Sequence, residues 1–366
     1  MSLTTVQAGI LGSDSQYTGF KNRIINGAMM IDQRNAGASV TVTDAYTLDR
    51  WEVREDTDGA ASCQQVSDAP TGFSFSQKFT TTTADASLTT TQRFFVGQNI
   101  EGFNTADLAF GTASAQTVTL SFWVKSSLTG TFAGALQNSA RSRSYVFNYT
   151  INAANAWEQK TVTIVGDTTG TWIGATNGIG LRVCFAMGIG PDYSGTANSW
   201  QSAALWASTG AVSVIGTLNA TFQVTGVQLE KGSTATSFDY RPYGTELSLC
   251  QRYYCSSFSI GTAPANGLSD NRGATLTCFN GNYFQSNSIR FPVSMRTVPT
   301  TTLYNSGTTA SVGYWTAYNG SWQSLPPAGN TVSDNTIQVI VGGGAFSASY
   351  GQTYIGSGYW TASAEL

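Results

Sequence analysis

Short runs of β-forming residues, separated by turn residues, recur along most of this sequence. The clearest run is residues 118–124 (VTLSFWV), and comparable runs occupy residues 144–151, 157–165 and 180–187. The runs lie roughly 8 to 20 residues apart, and no long segment between them has the 3.6-residue apolar period of an amphipathic helix. Many short strands at this spacing are typical of an antiparallel sandwich. The sequence therefore predicts an all-β fold.

Residues 222–254 have the features expected where one domain ends and another begins. An apolar run containing Val224 and Leu229 is interrupted by Gly226, which indicates a β-bulge or a close backbone approach. Pro242 then ends the strand region, and residues 246–254 fit a short helix. Because 366 residues exceed the size of one usual core, we expect three parts: an N-terminal segment (1–19), a β-sandwich (20–245) and a smaller C-terminal β domain (246–366).

The sequence contains no histidine, and this absence removes most familiar catalytic sites. Ser-His-Asp and Cys-His nucleophile systems and His-based zinc sites all need an imidazole. We therefore expect a protein that is not an enzyme. Glycoside hydrolysis needs only two carboxylates about 5 to 9.5 Å apart, and it stays as the alternative, although no acidic pair falls in a recognisable motif.

Charge argues against two further classes of partner. Charged residues make up 11% of the chain, the net charge is −3 and no basic run occurs, so we expect no nucleic acid. No apolar stretch reaches the roughly 18 residues of a membrane span, and the first residues lack the pattern of a signal peptide, so we expect a soluble chain with no membrane insertion. Five cysteines at irregular spacing predict buried free thiols in a protein made in a reducing cytosol.

We expect no cofactor and no metal. The one segment that could suggest otherwise is residues 55–59 (EDTDG), where three carboxylates precede a glycine. Oxygen ligands of this kind hold calcium in some loops, but the pattern is far from a complete calcium loop. A solvated turn is the favoured interpretation.

Three motifs occur in a fixed order along the first two thirds of the chain: FKNRIINGAMMIDQRN from residue 20, YTLDRWEV from residue 46 and GVQLEKGSTATSFDYRPYGTELSLCQRYY from residue 226. Together they resemble a family of bacteriophage tail-fibre and virion proteins built on a carbohydrate-binding-module-like β jelly roll. The resemblance covers residues 20 to 254. It implies that the predicted sandwich is a jelly roll and that the protein is a non-enzymatic virion component at the host-contacting surface.

The same resemblance implies several partners. Residues 1–19 would be an attachment arm that docks on other tail or capsid proteins, the chain would form a homotrimer, and the ligand would be a host surface polysaccharide. The protein would reside in the tail of the phage particle after assembly in the host cytoplasm. The alternatives are a structural virion spacer, a capsid decoration protein, and a glycan-depolymerising tailspike that uses a carboxylate pair.

Aromatic residues in a chain so poor in charge are the candidate glycan contacts, because ring faces stack on the C–H faces of sugars. The same rings could equally build a core or a subunit interface, and the sequence leaves both uses open. Where two aromatic residues are adjacent in a strand, one of them must face outward. The candidates are Trp315, Tyr318, Trp322, Tyr359 and Trp360 in the C-terminal part, and Tyr193, Trp200 and Trp206 in the long loop at residues 188–209.

Overall fold

The structure is a computed structural model that describes residues 21–268, 273–306, 314–318, 321–342, 346 and 348–366. These residues form antiparallel sheets, one short parallel strand pair, one α-helix and three short 3-10 helices, so the predicted all-β class is confirmed. The N-terminal segment 1–19, with its predicted attachment role, lies outside them. None of the helices in the described ranges is long and apolar enough to cross a membrane.

The chain divides into two compact units, and each is described by itself. Within the described ranges, the sandwich unit comprises residues 21–30, Ser39–Thr47 and Trp51–Pro242. The C-terminal unit comprises Ile31–Ala38, Leu48–Arg50 and Tyr243–Leu366. Two short segments from the first fifty residues therefore belong to the C-terminal unit.

Two large antiparallel sheets form the sandwich unit, in the strand orders β1-β4-β5-β15-β7-β10 and β13-β9-β8-β11-β6-β3-β2, and β12 and β14 form a short parallel pair. The strands are β1 (Val40–Thr41), β2 (Ala45–Leu48), β3 (Trp51–Glu55), β4 (Ala60–Val66), β5 (Ser76–Thr83), β6 (Arg93–Glu101), β7 (Val118–Ser126), β8 (Gly130–Gln137), β9 (Ser144–Ile151), β10 (Glu158–Ile164), β11 (Ile179–Ile189), β12 (Ser194–Gly195), β13 (Trp200–Gln201), β14 (Ala207–Ser208) and β15 (Thr221–Lys231). The 3-10 helices are Gly102–Asn104, Ala106–Leu108 and Pro191–Tyr193.

The core lies between the two sheets and is rich in aromatic rings. Phe122 of the six-stranded sheet meets Tyr149 and Phe185 of the seven-stranded sheet, with ring centroids 5.0 and 4.8 Å apart. Sheet neighbours that are distant in sequence, such as β15 beside β5 and β7, make this sandwich a jelly roll. Burial of the inner faces explains why the strand pattern was readable in the sequence.

Residues of the first and third sequence motifs are joined by hydrogen bonds within the sandwich unit. Asn22 donates from Nδ2 to the Val227 carbonyl oxygen at 3.0 Å and accepts from the Leu229 amide at 3.1 Å. The Arg241 guanidinium donates to the carbonyl oxygens of Asn22 and Ile24. These polar groups close the irregular segment 21–30 onto strand β15, so they hold the fold together.

Two local sequence signals, at Gly226 and at Asn26-Gly27, compare differently with the structure. The β-bulge at Gly226 is confirmed, because the register of β15 against β7 shifts there and Gly226 has φ +61°. In contrast, the pair Asn26-Gly27, which is typical of a turn between two strands, lies in a segment (residues 21–34) that forms turns and extended loop and contains no strand. The apolar side chains of this segment, such as Ile24 and Met29, are buried without joining a sheet.

Strand β25 (Thr353–Ser363) is the centre of the C-terminal unit, where it pairs with β16, β17, β20 and β21. A helix at Tyr243–Gln251 (α1) precedes the sheet, three residues before the predicted start. The other strands are β16 (Tyr254–Ser256), β17 (Gly273–Asn280), β18 (Tyr283–Ser286), β19 (Ile289–Arg290), β20 (Thr300–Asn305), β21 (Trp315–Tyr318), β22 (Trp322–Leu325), β23 (Pro327–Val332) and β24 (Thr336–Gly342).

A nearly buried ion cluster holds the early segments of the C-terminal unit. Glu365, whose side chain is 7% exposed, accepts from Arg34 at 2.8 Å and also from Arg50, which is 1% exposed. The Arg34 guanidinium lies 3.8 Å from the centre of the Tyr254 ring, and that of Arg50 lies 3.6 Å from the centre of the Tyr253 ring. Each cation is therefore covered by an aromatic face on one side and balanced by the same carboxylate.

Asp49 is the second buried acid of this unit. It accepts from the backbone amide of Gln33 at 2.7 Å and from Gln33 Nε2 at 2.6 Å. Burial raises the pKa of Asp49 to about 7, and the charge of Arg34 opposes the rise. All five cysteines of the chain are buried free thiols, as predicted.

Candidate functional site

Three of the five C-terminal candidates are core residues. Trp315 is 1% exposed and donates from Nε1 to the Tyr359 carbonyl oxygen at 3.2 Å. Tyr359 is 2% exposed and stacks on Phe258 with centroids 4.5 Å apart, while Trp360 is 5% exposed and packs against Phe291. Their ring faces are already covered by protein, so we no longer assign a glycan contact to Trp315, Tyr359 or Trp360.

The other two, Tyr318 and Trp322, lie side by side on an open sheet face. They are cross-strand partners on β21 and β22, with ring centroids 5.4 Å apart, and are 42% and 49% exposed. Ile355 of β25 is paired with Tyr318 and is 60% exposed, and Thr275 of β17 is paired with Ile355 and is also exposed. We call these four residues the aromatic row.

The aromatic row combines apolar area with a neutral polar border. Strands β17, β21, β22 and β25 contain no Asp, Glu, Lys or Arg. Four adjacent strands spaced by about 4.8 Å place the ends of the row about 14 Å apart. The row is long enough to support several sugar units in line, and its chemistry suits C–H faces and hydroxyl groups better than charged groups.

Two of the loop candidates, Tyr193 and Trp206, cover the outer face of the seven-stranded sheet. Trp206 is 2% exposed and packs on Phe95 of β6, and Tyr193 meets Trp206 edge to face at 4.9 Å. Trp200 is half-buried against Phe110 and Tyr145, and its Nε1 donates to the Val165 carbonyl oxygen at 2.7 Å. These three rings are not brought together as an open platform, and burial removes Trp206 as a stacking surface.

A small polar cleft opens beside Trp206 on this outer face. It contains about 220 Å³ of empty space, including solvent at its mouth. Its polar side chains come from β3, β6, β8, β11 and the turn after β8: they are Glu52, Asn99, Gln137, Arg182 and Arg141. Sequence reasoning missed all five. The available signal was Arg182, a lone charge in the otherwise apolar run of β11 (IGLRVCFAMGI).

A larger cleft of the sandwich unit is apolar. It contains about 770 Å³ of empty space, again including open solvent, and no charged side chain lines it. Trp172 and Phe110 form one wall, with ring centroids 4.9 Å apart. Nothing in its lining selects a particular ligand.

The acidic turn at residues 55–59 is organised by protein contacts. Asp56 pairs with Arg93 at 2.9 Å, and Glu55 accepts from the Thr57 amide at 3.0 Å. Among the residues that the structure describes, no group of three or more acidic or cysteine side chains has the arrangement of a metal site. The polar cleft contains one carboxylate, Glu52, and the apolar cleft contains none. Neither cleft therefore presents the carboxylate pair of a glycosidase.

The cysteine beside the polar cleft has no catalytic character. Burial raises the pKa of the Cys184 thiol to about 12, although Arg141 and Arg182 oppose the rise. A thiol with so high a pKa carries almost no thiolate near neutral pH. Cys184 is therefore part of the packing under Trp206.

The sequence matches no protein-family model, and no curated protein matches it. Solved structures similar to part of this chain include the enzymatically active domain of tailspike protein 4 from bacteriophage CBA120, at 12% identity and TM-score 0.30, covering 58% of this chain and 21% of that one. Others are a Bacteroides thetaiotaomicron protein whose name proposes sugar binding (11% identity, TM-score 0.34, covering 58% and 100%) and a family 11 carbohydrate-binding module of Clostridium thermocellum (11% identity, TM-score 0.28, covering 54% and 98%). Likeness at this level carries no argument about function.

Proposed function

We propose that this protein is a non-catalytic glycan-binding component of a phage tail, and that the aromatic row is its contact surface for a neutral host polysaccharide. The observation that carries the proposal is the exposed Tyr318–Trp322 pair on a sheet face free of charge. A soluble sheet rarely leaves two large rings and an isoleucine in one exposed line without a partner. The tail location and the homotrimer rest on the resemblance of the sequence motifs.

The chemistry of the aromatic row favours sugar over a protein partner. A protein interface of usual size buries about 800 Å² on each side and contains a charged or polar rim. Three apolar side chains bordered by threonines are too small for that and match the size of a short saccharide. Each stacked ring should contribute on the order of 1 kcal/mol, as aromatic pairs do, so one site binds weakly and an oligomer gains avidity.

The test compares single substitutions on and off the row. Glycan-array screening of the intact protein identifies a ligand, and titration calorimetry then compares Trp322→Ala and Tyr318→Ala with Tyr350→Ala. Tyr350 is 81% exposed in the same unit but lies outside the row, so it controls for loss of a surface ring. We expect about five-fold weaker binding for each row variant, the equivalent of about 1 kcal/mol, and no change for the control.

Other results would select an alternative. No binding by the parent protein favours the passive virion spacer, and loss of the oligomer in Trp322→Ala, measured by light scattering, makes the row a subunit interface. Gold labelling of intact phage particles separates a tail component from a capsid decoration protein. Release of reducing ends from a bound polysaccharide would favour the alternative hypothesis of a glycan-depolymerising tailspike.

A further inference from the structure

The apolar cleft of the sandwich unit has a fixed wall and room for side chains. Water-sized groups can occupy positions that span about 370 Å³ of it, within the roughly 300 to 1,000 Å³ of pockets that hold small ligands. Trp172 is held at one wall because its Nε1 donates to the Thr169 carbonyl oxygen at 3.1 Å and to Asp167 Oδ2 at 3.3 Å. Asp167 in turn pairs with Arg143 at 2.7 Å. The wall is therefore held in place by contacts of the protein itself.

Large apolar side chains are exposed at the rim of this cleft. Ile173, which lines the cleft, is 36% exposed. Phe103 is 58% exposed, and its amide donates to the Thr176 carbonyl oxygen at 2.8 Å, so it lies at the same end of the sandwich. Exposed apolar surface around a cleft is typical of a place where another apolar group docks.

The lining favours an aliphatic occupant over a saccharide. Among the described residues that line the cleft, Thr105 and Thr112 supply the side-chain hydroxyls, and Thr105 Oγ1 already donates to the Gly102 carbonyl oxygen at 3.2 Å. A sugar placed there would leave most of its hydroxyl groups without partners, which is costly in an apolar site. Aliphatic side chains need no such partners and gain free energy by leaving water.

The described chain begins beside the cleft. Arg23 donates from Nη1 to the Asn104 carbonyl oxygen at 3.2 Å and from Nη2 to Asp107 Oδ2 at 2.8 Å. Asn104 and Asp107 flank residues 105–106, which line the cleft. The segment 1–20 therefore joins the sandwich close to the cleft.

This segment carries one short aliphatic motif. Ile10 and Leu11 are its one adjacent pair of large aliphatic residues, and a glycine stands on either side of them (GILG). Leu11 precedes Arg23 by 12 residues, so an extended chain could place it up to about 40 Å away, far enough to reach the cleft with slack. A tether of this kind keeps the motif at an effective concentration on the order of millimolar at the cleft.

We infer that Ile10 and Leu11 dock in the apolar cleft of their own chain, against the wall formed by Trp172 and Phe110. The lining alone selects no particular ligand, and the position of the chain supplies the occupant. This contact lies in the sandwich unit and is independent of the aromatic row. A tail or capsid protein that takes up segment 1–19 would have to displace it.

Disulfide trapping tests this contact in the full chain, because all five native cysteines are buried. In Gly12→Cys/Ala106→Cys, one cysteine follows the aliphatic pair and the other replaces an exposed alanine that lines the cleft. Mild oxidation should join them within one chain, because docking brings their Cα atoms within the roughly 4.4 to 6.8 Å that a disulfide needs. Adding Ile10→Ser and Leu11→Ser should slow this reaction at least ten-fold, since the tether is kept and the apolar contact is lost.

The matched control is Gly12→Cys/Ser237→Cys. The Ser237 carbonyl oxygen accepts from Lys21 Nζ at 2.7 Å, so this cysteine lies near the start of the described chain but does not line the cleft. Its disulfide should form at least ten-fold more slowly than that of the cleft pair. The two serine substitutions should leave its rate unchanged.

A second measurement needs no added cysteine. A fluorescent peptide of residues 1–20 should bind Ile10→Ser/Leu11→Ser, in which the cleft is free, at least ten-fold more tightly than the parent protein, and Ala106→Arg in that variant should abolish binding. Protection of Cys63 and Cys184 from thiol reagents reports that the sandwich unit is folded. The inference is overturned if the serines do not slow the cleft disulfide, if that disulfide joins two chains, or if the peptide binds the variant no more tightly than the parent.

Discussion

Glu365→Gln should destabilise the C-terminal unit more than any conservative change on its surface. The substitution removes the charge that balances Arg34 and Arg50 and turns an amide N–H toward one of two cations. Breaking a buried ion pair by neutralising one partner costs about 3 to 5 kcal/mol, because the other charge stays buried. Arg50 is 1% exposed and Arg34 15%, so neither cation reaches water easily. We expect a loss of about 3 to 5 kcal/mol.

Thiol labelling in urea measures this loss in one unit at a time. Cys250, Cys255 and Cys278 are buried in the C-terminal unit, and Cys63 and Cys184 are buried in the sandwich unit. Mass spectrometry of labelled peptides follows each unit separately, and with a slope of about 1 to 3 kcal/mol per molar urea the C-terminal midpoint should fall by about 1 M or more.

The matched control is Asp334→Asn, which changes the net charge equally at an exposed residue of the same unit. Its effect should stay within about 0.5 kcal/mol. If Glu365→Gln loses under 1 kcal/mol, or no more than the control, then the two arginines are not held by this carboxylate and the reasoning fails.

Three further expectations concern stability. The pKa of Asp49 is raised from 3.8 to about 7 in the folded unit, so its contribution to stability is complete below pH 3.8 and is lost as the pH rises through about 7. This contribution amounts to at most about 4 kcal/mol. The urea midpoint of the C-terminal unit should therefore be higher at pH 5 than at pH 8, and Asp49→Asn should reduce the difference between the two midpoints. A Cβ on Gly358 would lie 2.3 Å from Trp315 Cδ1, so Gly358→Ala should cost about 1 to 3 kcal/mol and Trp315→Phe should partly restore it; an unchanged urea midpoint would contradict this. Arg241→Lys keeps the charge but loses the two-carbonyl contact with segment 21–30, and faster amide exchange in that segment is the expected signature.

The sandwich was readable from sequence because its strands are short runs of apolar, β-branched and aromatic residues bounded by turn residues, and several of these runs are buried on both faces. Runs such as VTLSFWV became strands, and Gly226 marked a real bulge. Strand β25 was missed because Gly356 and Gly358 interrupt its pattern. Gly358 is present because the Trp315 ring crosses the strand at that point, a tertiary reason that no local pattern displays.

The candidate sites show the same limit. Composition indicated aromatic contacts, but burial divided them: Tyr318 and Trp322 are exposed, while Trp315 and Trp360 are in the core. The alternation of side chains along a strand requires one ring of an adjacent pair to face outward, but it does not indicate which of the two rings does so. At Tyr359 and Trp360 even that rule failed, because residues 356–362 of strand β25 are covered on both faces. The polar cleft was invisible because its side chains come from separate strands.

The C-terminal unit can fold only when nearly the whole chain has been synthesised, because it combines segments from both ends of the described sequence. Segment Ile31–Ala38 and strand β25 must meet in one fold, yet a ribosome adding about 5 to 20 residues per second makes them roughly 15 to 60 seconds apart. During that interval Arg34, Arg50 and the apolar residues around them have no partner to complete their packing. A recombinant fragment that starts at residue 246 would lack these segments altogether, so it should emerge with Glu365 uncompensated and a core open to aggregation.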